Sequence, residues 1–195
     1  ERFGIEVTPV EGSEITGIMD DYLLNRKTDL KGLIDDWGTY VNLSRMDMGQ
    51  LEKLAALELA IMKLSDMYDC PVAASECWAL FKARYGIRTC FVFGDLTNRG
   101  LPVACETDIH GAITSVLAQA ATGWQKASFF ADITIRHPTN DNAELFWHCG
   151  VFPRSAKSCA CKPCIAPNFD EGRPAVGNFL IEDSNVTLLR FDCSD

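Results

Sequence analysis

The sequence predicts an α/β fold, a layered and mostly parallel sheet with flanking helices, followed by the start of a mainly β, barrel-like C-terminal domain. Short apolar runs alternate with helical patterns from the N-terminus to about Gly123, the mark of strands joined by helical crossovers. Beyond Gly123 the texture changes, because Pro, Gly and Cys punctuate the chain and no helix longer than a turn or two fits. With 195 residues the chain can bury one large core or two small ones. The boundary is therefore set between residues 1–124 and 125–195.

The elements follow in order. Phe3 to Val10 alternates weakly and reads as a strand that Pro9 frays. Glu14 to Leu24 reads as a helix with Ser13 as its N-cap. Asp47 to Tyr68 carries the strongest helical signal, since Leu51, Leu54, Ala55, Leu59 and Met62 recur at helical spacing. Asp47 can cap it, and Cys70-Pro71 cannot continue it. Val72 to Ala74 is a short buried strand, Glu76 to Tyr85 a helix closed by Gly86, and Thr89 to Phe93 strand-like. Trp78, Leu80 and Phe81 read as core packing of that helix. Val103 to Cys105 is a further strand, leading into a helix from Asp108 to Thr122 with Thr107 as its cap and Gly123 as its stop. Ser128 to Ile135 and Glu144 to Trp147 read as strands. Phe179 to Glu182 and Val186 to Phe191, joined by Asp183-Ser184-Asn185, read as a β-hairpin.

Composition narrows the function. A net charge of −9 argues against nucleic acid as the partner, because basic residues are too few and too scattered to neutralise phosphates. No uncharged apolar run approaches the roughly 18 residues of a spanning helix, so no membrane partner is expected. The N-terminus, Glu1-Arg2-Phe3-Gly4, lacks a secretory pattern. Nine cysteines without such a signal point to reduced thiols and a cytoplasmic location. Cys70, Cys77, Cys90 and Cys105 sit in or beside apolar runs and read as buried small hydrophobes. Both ends lie close to strand-like runs, so the chain reads as part of something longer.

Three segments can carry chemistry. Cys105-Glu106-Thr107-Asp108-Ile109-His110-Gly111, Phe129-Phe130-Ala131-Asp132 and Phe146-Trp147-His148-Cys149-Gly150 each place an acid or histidine directly after an apolar stretch. Burial there makes an unpartnered charge expensive. Carboxylates gathered from separate segments usually share a cation or a proton. Glu106 stands where a strand gives way to a helix, the end of a sheet at which ligands collect. Structural readings stay open beside these: Asp108 as a first-turn helix acid, His110 on a helix surface, Asp132 as a turn residue. A separate run, Cys159-Ala160-Cys161-Lys162-Pro163-Cys164, can offer three thiolates to zinc, with His148, Cys149 or Cys193 as a fourth ligand.

The run Ala104 to Thr114, followed by Phe130-Ala131-Asp132, resembles the L-fucose isomerase family, which carries a Glu-x-Asp-x-x-Gly-Ala turn into a helix and then a strand ending in Asp. Glu76-Cys77-Trp78, Leu145 to Gly150 and the Phe179 to Phe191 segment extend the resemblance from about Cys70 to Phe191. The resemblance implies aldose–ketose isomerisation of a fucose- or arabinose-like sugar through an enediol, in a homo-oligomer. It implies that Glu106 and Asp132 bind manganese, or another divalent cation, and also act as the acid/base pair. His148 is the substitute candidate for the third ligand, which the family draws from late in its C-terminal domain. Residues 1–124 would then be the middle domain of a sugar isomerase and residues 125–195 the beginning of its C-terminal β domain, inactive alone. The alternative is a non-catalytic sugar-binding or assembly module with a structural zinc at Cys159, Cys161 and Cys164.

Overall fold

A computed structural model describes residues 4–160, 163–167 and 174–192. Three helices open it: α1 (Gly12–Asn25), α2 (Lys27–Tyr40) and α3 (Met48–Tyr68). Glu11 rather than Ser13 occupies the N-cap position of α1, without a side-chain cap bond. Residues 4–10 form no strand and lie exposed.

Asp47 caps α3 through a full capping box, in which its carboxylate accepts from Gln50 N at 2.8 Å and Gln50 Oε1 accepts from Asp47 N at 3.2 Å. Asp47→Ala is expected to cost about 1 kcal/mol, read as a lower urea midpoint. The buried side of α3 is Leu51, Leu54, Leu57, Ile61 and Leu64; Leu59 is half-buried and Met62 is exposed. The apolar spacing therefore identified the helix but placed two residues too far round its face.

Helix α2 had no counterpart among the expected elements, although Leu30, Ile34 and Trp37 are buried at helical spacing. Gly32 and Gly38 dilute that pattern.

A second group follows: β1 (Ala73–Ala74), α4 (Leu80–Tyr85), α5 (Cys90–Asn98), β2 (Val103–Ala104) and α6 (Ile109–Ala121). The pair β1–β2 is parallel, matching Ala73 with Val103 and Ala74 with Ala104, with α4 and α5 as its crossover. The chain is thus mixed α and β, but its parallel sheet is two short strands rather than a broad layer. The reason lies in Thr89 to Phe93, which forms the start of α5 instead of a strand. Every residue from Cys90 to Thr97 is buried, and a helix enclosed on all sides shows a continuous apolar run like that of a central strand.

Gly94 sits in α5 where the later chain crosses it. A Cβ there would stand 2.6 Å from the Phe152 carbonyl oxygen and 3.2 Å from the Val151 carbonyl carbon. Gly94→Ala is therefore expected to lower stability by about 1–3 kcal/mol, measured by thermal or urea unfolding.

The remaining strands form two antiparallel pairs, β3 (Asp132–Arg136) with β4 (Glu144–Trp147), and β5 (Cys164–Pro167) with β6 (Pro174–Asn178). No barrel closes among the described residues. The expected hairpin over Phe179 to Phe191 does not form. Apart from a bridge between Ile181 and Lys157, that segment runs without strand pairing. Its end is fixed by Arg190, 2.6 Å from Asp108, and by Phe191 N, which donates to Thr114 Oγ1 at 2.9 Å.

The buried cluster runs through α1 to α5 and takes in Val151 and Ile165. Within it lies a charged knot. Arg99 reaches Asp95 at 2.7 Å, Asp36 at 2.5 Å and Glu58 at 3.1 Å, and donates to Tyr40 Oη at 3.0 Å. Tyr40 Oη donates in turn to Asp95, and Arg154 lies 3.6 Å from the Tyr40 ring centroid. The knot ties α2, α3, α5 and the turn at Arg154–Ala156 together.

Candidate active site

The turn from β2 into α6 positions Glu106. Backbone bonds hold it on both sides: Ser75 N donates to Ala104 O at 3.0 Å, Thr107 N to Ser75 O at 3.1 Å, and Asp108 N to Cys105 O at 3.1 Å. The cap of α6 is Asp108 rather than Thr107, accepting from Gly111 N at 2.9 Å. Thr107 cannot serve because both it and Glu106 are in the left-handed region, with φ of 59° and 60°. Two successive residues bearing side chains in that region are costly, the β-branched threonine most of all. The turn keeps Cys105 wholly buried while Glu106 faces outward.

Glu106 and Thr107 border an open recess shared with Glu76, Cys77 and Trp78. Trp78 is 60% exposed, which corrects its reading as core packing; Phe81 is the buried member of that stretch. The expected helix from Glu76 begins only at Leu80, since Glu76 folds back and its carboxylate accepts from Trp78 N, Ala79 N and Leu80 N. The sequence shows Trp78 only as one more apolar residue; its place outside the helix is what frees it.

Asp132 opens β3, exposed, and pairs across the hairpin with Trp147, the residue before His148. His148 is 7% exposed, with its ring edge-on to Phe130 at 5.2 Å and its Nδ1 3.5 Å from Cys149 Sγ. Burial works against the charged imidazole. The Cys149 contact and the negative charges of Asp132 and Glu106 outweigh it, so its pKa stands above the ordinary histidine value. Both candidate carboxylates are therefore within electrostatic reach of one buried ring.

Beneath them is a cluster that the sequence did not reveal. Cys77, Cys90 and Cys105 are buried, as expected for small hydrophobes, but they meet Cys149 and His148 instead of dispersing through the core. Among the described residues, the group of Cys, His or acidic ligand atoms lying within 4.8 Å of one another is Cys105, His148 and Cys149. Cys90 Sγ is 3.6 Å from Cys149 Sγ. Contacts from Cys105 and Cys90 push the Cys149 thiol far down, and the same contacts with burial push Cys90 and Cys105 up. Gly150 turns the chain immediately after Cys149 with a φ of 105°.

Of the second expected cluster, Cys159 is exposed and Cys164 half-buried, whereas Cys161 and Cys193 lie outside the described residues. His110 lies on the surface of α6, its Nδ1 3.3 Å from Asp192. No helix among the described residues is long and apolar enough to cross a membrane.

The layout is that of an acidic surface site on a strand-to-helix turn, and sequence relatives give that class a more definite setting. The chain is 31% identical over 120 residues to a sulfoquinovose isomerase of Alkalicoccus urumqiensis, covering 60% of this chain and 26% of that protein. It is 28% identical over 152 residues to a sulfoquinovose isomerase of Priestia aryabhattai, covering 77% of this chain and 33% of that protein. A sulfoquinovose isomerase of a Clostridium species is 32% identical over 99 residues, 47% of this chain and 22% of that protein. The chain thus spans about a quarter to a third of the length of these curated relatives. No family model and no solved structure matches it. The similarity supports a sugar isomerase family and does not single out the L-fucose isomerases.

Proposed function

We propose that this chain carries part of the active site of an aldose–ketose isomerase, with Glu106 and Asp132 as its acidic pair. The observation that supports this most is that the charges of Glu106, on the turn after β2, and of Asp132, at the start of β3 and 26 positions later, both act on the His148 ring that follows β4. Two hard carboxylate oxygens on an open face suit manganese or a similar divalent cation. Such a cation would polarise the sugar carbonyl and stabilise the negative charge that develops on the neighbouring oxygens.

The residues of the chain supply the rest. Glu106 at the recess and Asp132 at the start of β3 would hold the cation together, and one of them would take the proton from the carbon beside the carbonyl and return it to the adjacent carbon. His148, buried beneath them, lies within electrostatic reach of both. Trp78 gives the recess an exposed aromatic face on which the apolar side of a sugar ring or chain can lie. The relatives' name makes sulfoquinovose the first sugar to try, ahead of L-fucose and L-arabinose.

The test is manganese-dependent interconversion of sulfoquinovose and its ketose by the intact protein, with Asp132→Asn in parallel. Turnover that disappears in the variant is expected. No turnover on any of the three sugars, together with no manganese binding, would remove this reading.

A further inference from the structure

Beneath the acidic face, donors of a different chemistry meet. Cys105 comes from the turn after β2, while His148 and Cys149 follow β4. Cys90 opens α5, and Cys77 precedes α4. Cys105 is fully buried, Cys90 and Cys77 are 3% and 4% exposed, and His148 is 7% exposed. A buried imidazole ordinarily takes a strong hydrogen-bond partner. The polar contact of this ring is a thiol, a weak one.

The spacing is that of ligands around one ion. Metal–sulfur bonds of about 2.3 Å and metal–nitrogen bonds of about 2.0–2.1 Å place tetrahedral ligand atoms roughly 3.5–3.8 Å apart. Cys149 Sγ lies 3.5 Å from His148 Nδ1 and 3.6 Å from Cys90 Sγ, and the Cys105, His148 and Cys149 donors all fall within 4.8 Å of one another.

We propose that Cys105, Cys149 and His148 bind a thiophilic divalent cation of the zinc class, with the Cys90 thiol packed against Cys149 beside the ligand set. Thiolate and imidazole donors favour such an ion over manganese. Each liganding thiol gives up its proton on binding, so the ion also neutralises the group. The site is separate from the one formed by Glu106 and Asp132 and gives His148 to the thiols. Its role is positional. Cys105 precedes Glu106 and His148 follows the partner of Asp132, so an ion tying these donors fixes the spacing of the two acids.

The experiment uses the full chain, stripped of metal under reducing conditions and titrated with Co2+ as a spectroscopic stand-in. Expected are thiolate-to-cobalt charge-transfer absorption that saturates at one equivalent, the intense visible bands of tetrahedral cobalt, and displacement by Zn2+. Cys105→Ser and Cys149→Ser should each weaken cobalt binding at least tenfold, while Cys159→Ser leaves it unchanged. Glu106→Gln should keep the charge-transfer band, which separates this site from the carboxylate one. X-ray absorption on the zinc-loaded wild type gives a readout independent of variant folding, with a mixed sulfur and imidazole shell expected. A cobalt spectrum without thiolate charge transfer, an all-oxygen shell, or a Cys90–Cys149 disulfide in place of bound metal would each overturn the proposal.

Discussion

Arg99→Leu is expected to lower stability by about 3–5 kcal/mol, the usual result of leaving buried acids without their cation. Asp95 and Glu58 are 3% and 0% exposed, and Arg99 is the nearest cation to both. Arg154 stands 3.9 Å from Asp95, too far to replace it. The loss should appear as a lower midpoint in urea with an unchanged slope. A loss below about 1 kcal/mol, the range of a solvated surface pair, would show that water reaches the knot.

Glu58 gives the knot a pH dependence. Burial, with the charge of Asp95 and a hydrogen bond to it, pushes the Glu58 carboxyl well above the ordinary range despite the nearby Arg99. The folded state therefore holds the Glu58 proton more tightly than the unfolded chain. Its contribution is fully present below the unfolded value of about 4.3 and is lost as pH rises through the folded value. Glu58→Gln removes that titration. It should leave the protein more stable than wild type at neutral pH and flatten the decline in midpoint across the acidic range. A wild-type midpoint that rises over this range would contradict the assignment.

How much of this was legible beforehand depends on what each residue's signal is made of. Asp47 and the end of α3 were plain because caps and breakers act locally. Glu106 and Asp132 stood out as polar residues directly after apolar runs, but both are exposed, so the burial that the apolar runs implied does not extend to them. The segment from Cys90 to Asn98 was not, because a helix buried on all sides has no periodicity to betray it. Thr107 looked like a cap, and only the backbone shows that its left-handed φ passes that job to Asp108. The thiol cluster was the least visible feature. Each cysteine has an ordinary apolar setting, and what distinguishes them is convergence across 72 positions, from Cys77 to Cys149, which no local pattern carries.

Glu106 is where stability and function should part most sharply. Glu106→Gln keeps the shape of the side chain but removes its charge and basicity, so turnover by the intact protein is expected to fall by about 10²–10⁴-fold. Manganese affinity, followed by the paramagnetic resonance of the free ion, should fall with it. Glu106→Gly should be just as inactive and yet no less stable. Its φ of 60° lies in a region that costs a side-chain-bearing residue about 1–2 kcal/mol and glycine almost nothing. Thr107→Gly relieves the same kind of strain at 59° without touching a carboxylate, so it should raise stability while leaving manganese binding in place. A chain that gains stability by losing Glu106 keeps that residue for a reason other than folding. If Glu106→Gly unfolded the protein, the carboxylate would be structural and the acidic pair would have to be sought elsewhere.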